Sequence, residues 1–147
     1  MNKILPPIYF YACIVISVTL HFFFPIDQII RLPYNWIGFL FFFLGGTLNI
    51  WTDQLFKKVN TTVKPFEKPS SLILRGPFKI SRNPMYLGMA LLLIGLGFVL
   101  GSITSFFGFV LFVAVMEIGF IRQEEKILLE VFGTGFEDYK KKVRRWV

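Results

Sequence analysis

Arg82, Asn83 and Pro84 stand directly ahead of an uncharged run that extends to Gly101. Asparagine followed by proline reads as a helix start. The asparagine side chain can accept a bond from a free backbone N–H, and proline loses nothing at the first helical position, where its nitrogen would be unpaired anyway. Free amides and the positive end of a helix favour a carboxylate or a phosphate, and a guanidinium such as that of Arg82 binds one through two parallel hydrogen bonds. Tyr86 lies on a neighbouring helical face, so a pocket lip is expected here. A plain helix start, with Arg82 merely solvated, accounts for the same residues.

The second polar group lies in "EIGFIRQEEKILLEVFG", Glu117 to Gly133. Glu124 and Glu125 follow the last apolar turn. Their ordinary reading is a set of helix pairs, Arg122 with Glu125 and Lys126 with Glu130, worth a few tenths of a kcal/mol. Glu117 and Asp53 sit about one turn inside apolar runs, where an ionisable group is costly and normally faces other helices or a wet cavity. Other chemistries lack parts. Cys13 is the lone cysteine and His21 the lone histidine, which excludes an internal disulfide and a cysteine cluster and leaves little for a histidine triad or a zinc site. His21 reads as a packing or interfacial residue.

The elements that must position these groups are written in the composition. The chain has 147 residues, 54% of them hydrophobic, with nineteen phenylalanines, well beyond a soluble domain of that length. Pro6 to Phe24, Trp36 to Phe56, Pro84 to Gly101 and Ile103 to Ile121 each approach the roughly 20 residues needed to cross a bilayer. Pro6 to Phe24 does not read as a signal peptide, because only Lys3 precedes it and no small-residue cleavage site follows. With a cytoplasmic N-terminus, every lysine and arginine except Arg31 falls on the cytoplasmic side. The positive-inside rule then predicts four spans with both termini in the cytoplasm. Membrane orientation thereby explains the net charge of +7, and a nucleic-acid partner is not expected. The expected fold is an all-α integral membrane bundle of four transmembrane helices, with one domain over residues 1–147, a long cytoplasmic loop over 57–83 and an interfacial C-terminal helix.

That loop is much longer than the 2 to 8 residues usual between packed helices. Val63, Phe66, Leu72, Ile73, Leu74, Phe78 and Ile80 make it too apolar for a disordered linker, so it is expected to pack against the bundle mouth. Pro65, Pro69 and Pro77 restrict it, with a turn at Gly76-Pro77. "GLGFVLG" (Gly95, Gly97, Gly101) only superficially resembles a dinucleotide fingerprint, since it lies inside a predicted span. Gly97 with Gly101, and Gly45 with Gly46, are expected to let another helix approach closely. In the tail, "FEDYKKKVRRWV", Phe136, Tyr139, Val143 and Trp146 fall on one helical stripe and the basic residues on the rest. This predicts a helix in the membrane interface, either as a polybasic anchor or as a lid over the site.

"RGPFKISRNPMYLG", followed by a hairpin of two spans, then "EE" and "FGTGFEDYKKKVRR", resembles the membrane methyltransferases that include isoprenylcysteine carboxyl methyltransferase and the phospholipid methyltransferases. The resemblance covers residues 61 to 145, and the first two spans only in general character. It implies an S-adenosylmethionine-dependent enzyme with its active site at the cytoplasmic membrane face, acting on a lipid or other membrane-associated acceptor; the expected location is a prokaryotic cytoplasmic membrane. Leu72, Ile73, Phe78, Asn83, Pro84, Met85, Tyr86, Glu124 and Glu125 would surround the cofactor, with Arg82 and Glu125 as the catalytic candidates. On that reading Arg82 holds the cofactor's carboxylate, Glu124 or Glu125 its ribose hydroxyls or ammonium, and Phe78, Leu72 and Ile73 cover the adenine. The sequence departs from the family at Asn83, where many relatives carry histidine, and at Phe78, where many carry tyrosine. It also lacks the arginine near Phe120 found in the eukaryotic prenylcysteine branch, which argues against a prenylcysteine substrate. The competing class is a non-enzymatic lipid-binding or assembly module of the membrane.

Overall fold

A computed structural model describes residues 5–59 and 71–147, and every regular element in them is helical. Val63, Pro65, Phe66 and Pro69 lie outside the described residues. The long helices are α1 (Pro6–Phe23), α2 (Ile37–Val59) and α3 (Pro84–Leu100). They are followed by α4 (Phe107–Met116), a π-helical turn at Glu117–Ile121, α5 (Arg122–Phe132) and α6 (Thr134–Lys142). Pro6 and Pro84 open α1 and α3, where the missing N–H costs nothing.

The burial pattern is that of a protein in hydrocarbon. α1 buries only Pro6, Cys13 and Ser17, while Ile8, Tyr11, Val15, Phe22 and Phe23 are exposed. Phe39, Phe43, Phe107, Val110 and Ile118 likewise point outward. In water such a surface would drive aggregation; against lipid it carries no penalty. The apolar rod Ile103–Phe132 runs for 30 residues, which at 1.5 Å each is about 45 Å, longer than a hydrocarbon core of about 30 Å.

Leu93, Phe112, Met116 and Ile121 are fully buried, and with Cys13, Tyr86, Ala90 and Phe120 they form a core between α1, α3 and α4. α2 stands outside this core and lies along α3. Their contact is made through glycine at two levels: a Cβ on Gly38 would meet the carbonyl of Gly95, and one on Gly45 the carbonyl of Gly88. The expected helix-approach pairs are thus only partly the observed ones. Gly46 faces open space, Gly97 accommodates the ring of Phe106, and Gly101 ends α3 in the left-handed conformation with φ 78°. A Cβ at Gly101 would also strike the carbonyl of Ile30, whose chain is pinned there by bonds from the Ile29 and Ile30 amides to the Gly101 carbonyl. Because helix backbones cannot separate without losing this packing, Gly45→Leu is expected to destabilise the protein by about 1–3 kcal/mol in a detergent melt. Gly46→Leu should leave the melt unchanged.

The described part of the loop packs on α2. A 3-10 turn at Gly76–Lys79 rests on α2, with Gly76 (φ 62°) against Leu55 and Trp51 and the Phe78 ring edge-on to Phe56 at 5.6 Å. The tail differs from its sequence reading. α6 stops at Lys142, and Val143 is extended (φ −125°, ψ 131°), so Trp146 is not on the stripe of Phe136 and Tyr139. Both of those side chains are buried within the protein, and Tyr139 donates to the Phe78 carbonyl at 2.6 Å. Burial pushes the Tyr139 phenol up to about 12, so it remains a donor across the physiological range.

Candidate functional site

The start of α3, the helix that follows the π turn and the last residues of the chain meet at one place. Pro84 occupies the first turn as expected, but Asn83 makes no side-chain cap. Its Nδ2 instead donates to the Arg145 carbonyl at 3.0 Å, and its amide donates to Ser81 Oγ at 3.0 Å. The first turn of α3 is thus left without a side-chain acceptor. Ser81, fully buried, donates from Oγ to the Arg145 carbonyl at 3.1 Å. The Arg82 amide donates to the Arg144 carbonyl at 3.1 Å.

The side chain of Arg82 is only 10% exposed, and its Nη1 lies 2.9 Å from Glu125 Oε1. Its Nε and Nη1 are both buried without a hydrogen bond of good geometry among the described residues, so the contact with Glu125 is a charge pairing that leaves donor capacity on the guanidinium. Such a group normally finds a partner. Glu124 and Glu125 diverge. Glu124 Oε1 accepts the Tyr86 hydroxyl at 2.7 Å, whereas Glu125 accepts Arg145 Nε at 3.0 Å and Nη2 at 2.5 Å, a two-pronged contact. Arg145 also reaches Glu117 through Nη1, and the Trp146 indole donates to Glu117 Oε2 at 3.2 Å. The hydrogen bond to Glu125 is the largest cause holding the Arg145 guanidinium above its ordinary value.

Several expected pairings are not observed. Arg122 lies 3.8 Å from Glu117 rather than beside Glu125, and is largely exposed. Asp53 does not face the bundle; it pairs with Lys57 at 2.6 Å on the exposed side of α2. That helix runs on to Val59, so Asp53 sits more than a turn before its end. His21 bridges the end of α1 to Ser102 Oγ at 2.9 Å, away from this cluster. Leu72 and Ile73 line a cleft of about 330 Å³ with Val59, Ser71, Leu74 and Arg75. The Phe78 turn and Ser81 connect this stretch to Arg82. Pro84 is buried and Met85 half-buried beside it.

Sequence reasoning missed Arg145, Trp146 and Ser81. The basic run 140–145 has the composition of a solvated anchor, and no local pattern separates Arg145 from its neighbours. The signal that existed was Glu117, a carboxylate inside an apolar run, which required a partner.

Exposed apolar helices beside a partly buried charged cluster define a membrane protein whose described elements are all helical. The model of the phospholipid methyltransferase family matches residues 34–135, more than half of the chain, and the chain belongs to that family. An uncharacterized protein of Haemophilus influenzae is 36% identical over 63 residues, which is 43% of this chain and 100% of that protein. Among solved structures, the fold is similar to that of a eukaryotic intramembrane Ras methyltransferase, isoprenylcysteine carboxyl methyltransferase, with a TM-score of 0.66 and 25% identity. That match covers 96% of this chain and 51% of the other, so the chain spans about half the length of that methyltransferase.

Proposed function

We propose that the chain is an S-adenosylmethionine-dependent methyltransferase that acts at the cytoplasmic membrane face on a lipid or other membrane-associated acceptor. The methylated group would be a carboxyl, amine or thiol. Residues 1–147 form a single domain. It crosses a prokaryotic cytoplasmic membrane four times, through α1, α2, α3 and the rod that begins at Ile103, with both termini in the cytoplasm. The observation that carries the reading is the junction at the start of α3: a buried Arg82 with an unpartnered Nε, an uncapped helix end, and two carboxylates turned to different neighbours.

These groups fit the cofactor. Its amino-acid head carries a carboxylate and an ammonium, which suit Arg82 with the free α3 amides, and a glutamate, respectively. Glu124 suits a ribose hydroxyl, because Tyr86 holds only its Oε1 among the described residues. Asn83, Pro84, Met85 and Tyr86 form the lip, and Leu72, Ile73 and Phe78 supply apolar cover for adenine. The cofactor supplies a methyl group made electrophilic by a sulfonium. Glu125, with its oxygens committed to Arg82 and Arg145, fits an anchor of the pocket better than a proton acceptor. The contribution of the chain is then alignment of the acceptor and exclusion of water, with a general base required only for an acceptor that arrives protonated.

Calorimetric titration of the detergent-solubilised protein with S-adenosylmethionine tests this reading. Saturable binding at one site per chain is expected. A folded sample that binds none would instead support a non-enzymatic lipid-binding or assembly module.

A further inference from the structure

Glu117 opens the π turn, and the turn alters which carboxylates share a face. In an unbroken α-helix, residues eight apart are offset by about 80°. A π turn absorbs one extra residue, so Glu117 and Glu125 behave as if seven apart, with an offset of about 20°. They therefore stack on one side of the rod, where a single guanidinium can reach both. Arg145 does so, taking Glu125 with Nε and Nη2 and Glu117 with Nη1. Glu124 is turned away by the same geometry and meets Tyr86.

We propose that Glu117 and Arg145 are positioning residues for the cofactor pocket, acting through Glu125 to fix Arg82; this rests on the pocket assignment above. The relay has four members in alternating sign: Glu117, Arg145, Glu125 and Arg82. Arg145 approaches Glu125 from the tail and fills both carboxylate oxygens in a fixed plane. Glu125 then pairs with Arg82 by charge, Oε1 to Nη1 at 2.9 Å, while Arg82 Nε and Nη1 both remain without a hydrogen bond of good geometry among the described residues. Glu117 holds the far side of the Arg145 fork, supported by the Trp146 indole and approached at 3.8 Å by Arg122. Without Glu117 the fork keeps only its Glu125 contacts, so the pair, and through it Arg82, is no longer fixed from the far side. Trp146 also packs against the apolar core of α1, α3 and α4, so the fork is seated from the apolar side too.

The test uses full-length protein in detergent, with S-adenosylmethionine affinity and thermal unfolding measured on the same samples. Glu117→Gln keeps the size and one acceptor but removes the charge; it is expected to raise Kd about tenfold. Arg145→Lys keeps the charge but not the fork, and is expected to match Arg145→Met in affinity rather than restore it. Because Glu117 acts through Arg145, Glu117→Gln added to Arg145→Met should weaken affinity no further. Unchanged affinity in Glu117→Gln with a lowered melting temperature would mean a purely structural staple and would overturn the proposal. Full rescue by lysine, or additive losses in the double variant, would overturn it as well. If the wild-type protein binds no S-adenosylmethionine, the pocket assignment itself fails, and that outcome is distinct from the variant results.

Discussion

Replacing Arg82 by alanine, or Glu124 by glutamine, is expected to weaken S-adenosylmethionine binding by about 1.5–3 kcal/mol each, roughly ten- to a hundredfold in Kd. The two act by different routes. Arg82 is already stripped of most of its water, with a side chain 10% exposed, so a ligand carboxylate would meet a guanidinium that has little solvent left to lose. Alanine removes that donor while Arg145 still holds Glu125, which keeps the rest of the cluster in place. Glu124→Gln retains a carbonyl oxygen for the Tyr86 hydroxyl, removes the charge and replaces the second acceptor by an NH2 donor. Titration calorimetry reads both, with circular dichroism to establish that each variant is folded. Wild-type affinity in the pair would remove these residues from the site.

Deleting Arg144–Val147 is expected to speed cofactor release at least about tenfold and to lower the melting temperature. The deletion takes the acceptors from the Arg82 amide, Ser81 and Asn83 and the guanidinium from Glu117 and Glu125. Glu125, only 10% exposed, is then left with Arg82 alone, and a carboxylate so far removed from water is destabilised when it loses one of its cations. Cutting further back would confuse the result, since Phe136 and Tyr139 are buried and their loss would open the protein itself. Stopped-flow displacement in neutral detergent makes the decision, because anionic lipid is absent there. A polybasic tail that serves only as an anchor would leave the release rate unaltered.

Much of this protein was legible from local pattern. α1, α2 and α3 begin and end within a few residues of the apolar runs, because a long apolar segment has few options other than a helix that satisfies its own backbone bonds. Pro84 marked the start of α3, and the Gly76-Pro77 turn was equally plain. Arg82 and Tyr86 stand out at the helix start, whereas Glu124 and Glu125 read locally as ordinary helix pairs and join the site only through the family resemblance; in the fold Arg82 pairs with Glu125 and Tyr86 with Glu124. The glycines were harder. A short glycine spacing is visible in any of several stretches, but which carbonyl lies opposite depends on the facing helix, and it was Gly38 and Gly45 that met Gly95 and Gly88.

The amino-acid order by itself determined the helices, their apolar surfaces and the residue types available for binding a charged ligand, since these follow from hydrophobicity and backbone bonding along a local stretch. Only the tertiary structure decided which charges meet. Arg145 lies 28 positions from Glu117 and 20 from Glu125, so their contact needs α6 to end at Lys142 and the tail to fold back over Ser81 and Asn83. It also needs the single-residue change of register at Glu117–Ile121. That change departs from the regular periodicity on which any reading of helix faces depends. It is stabilised by the partners it brings together, and those partners are neighbours only in the folded chain.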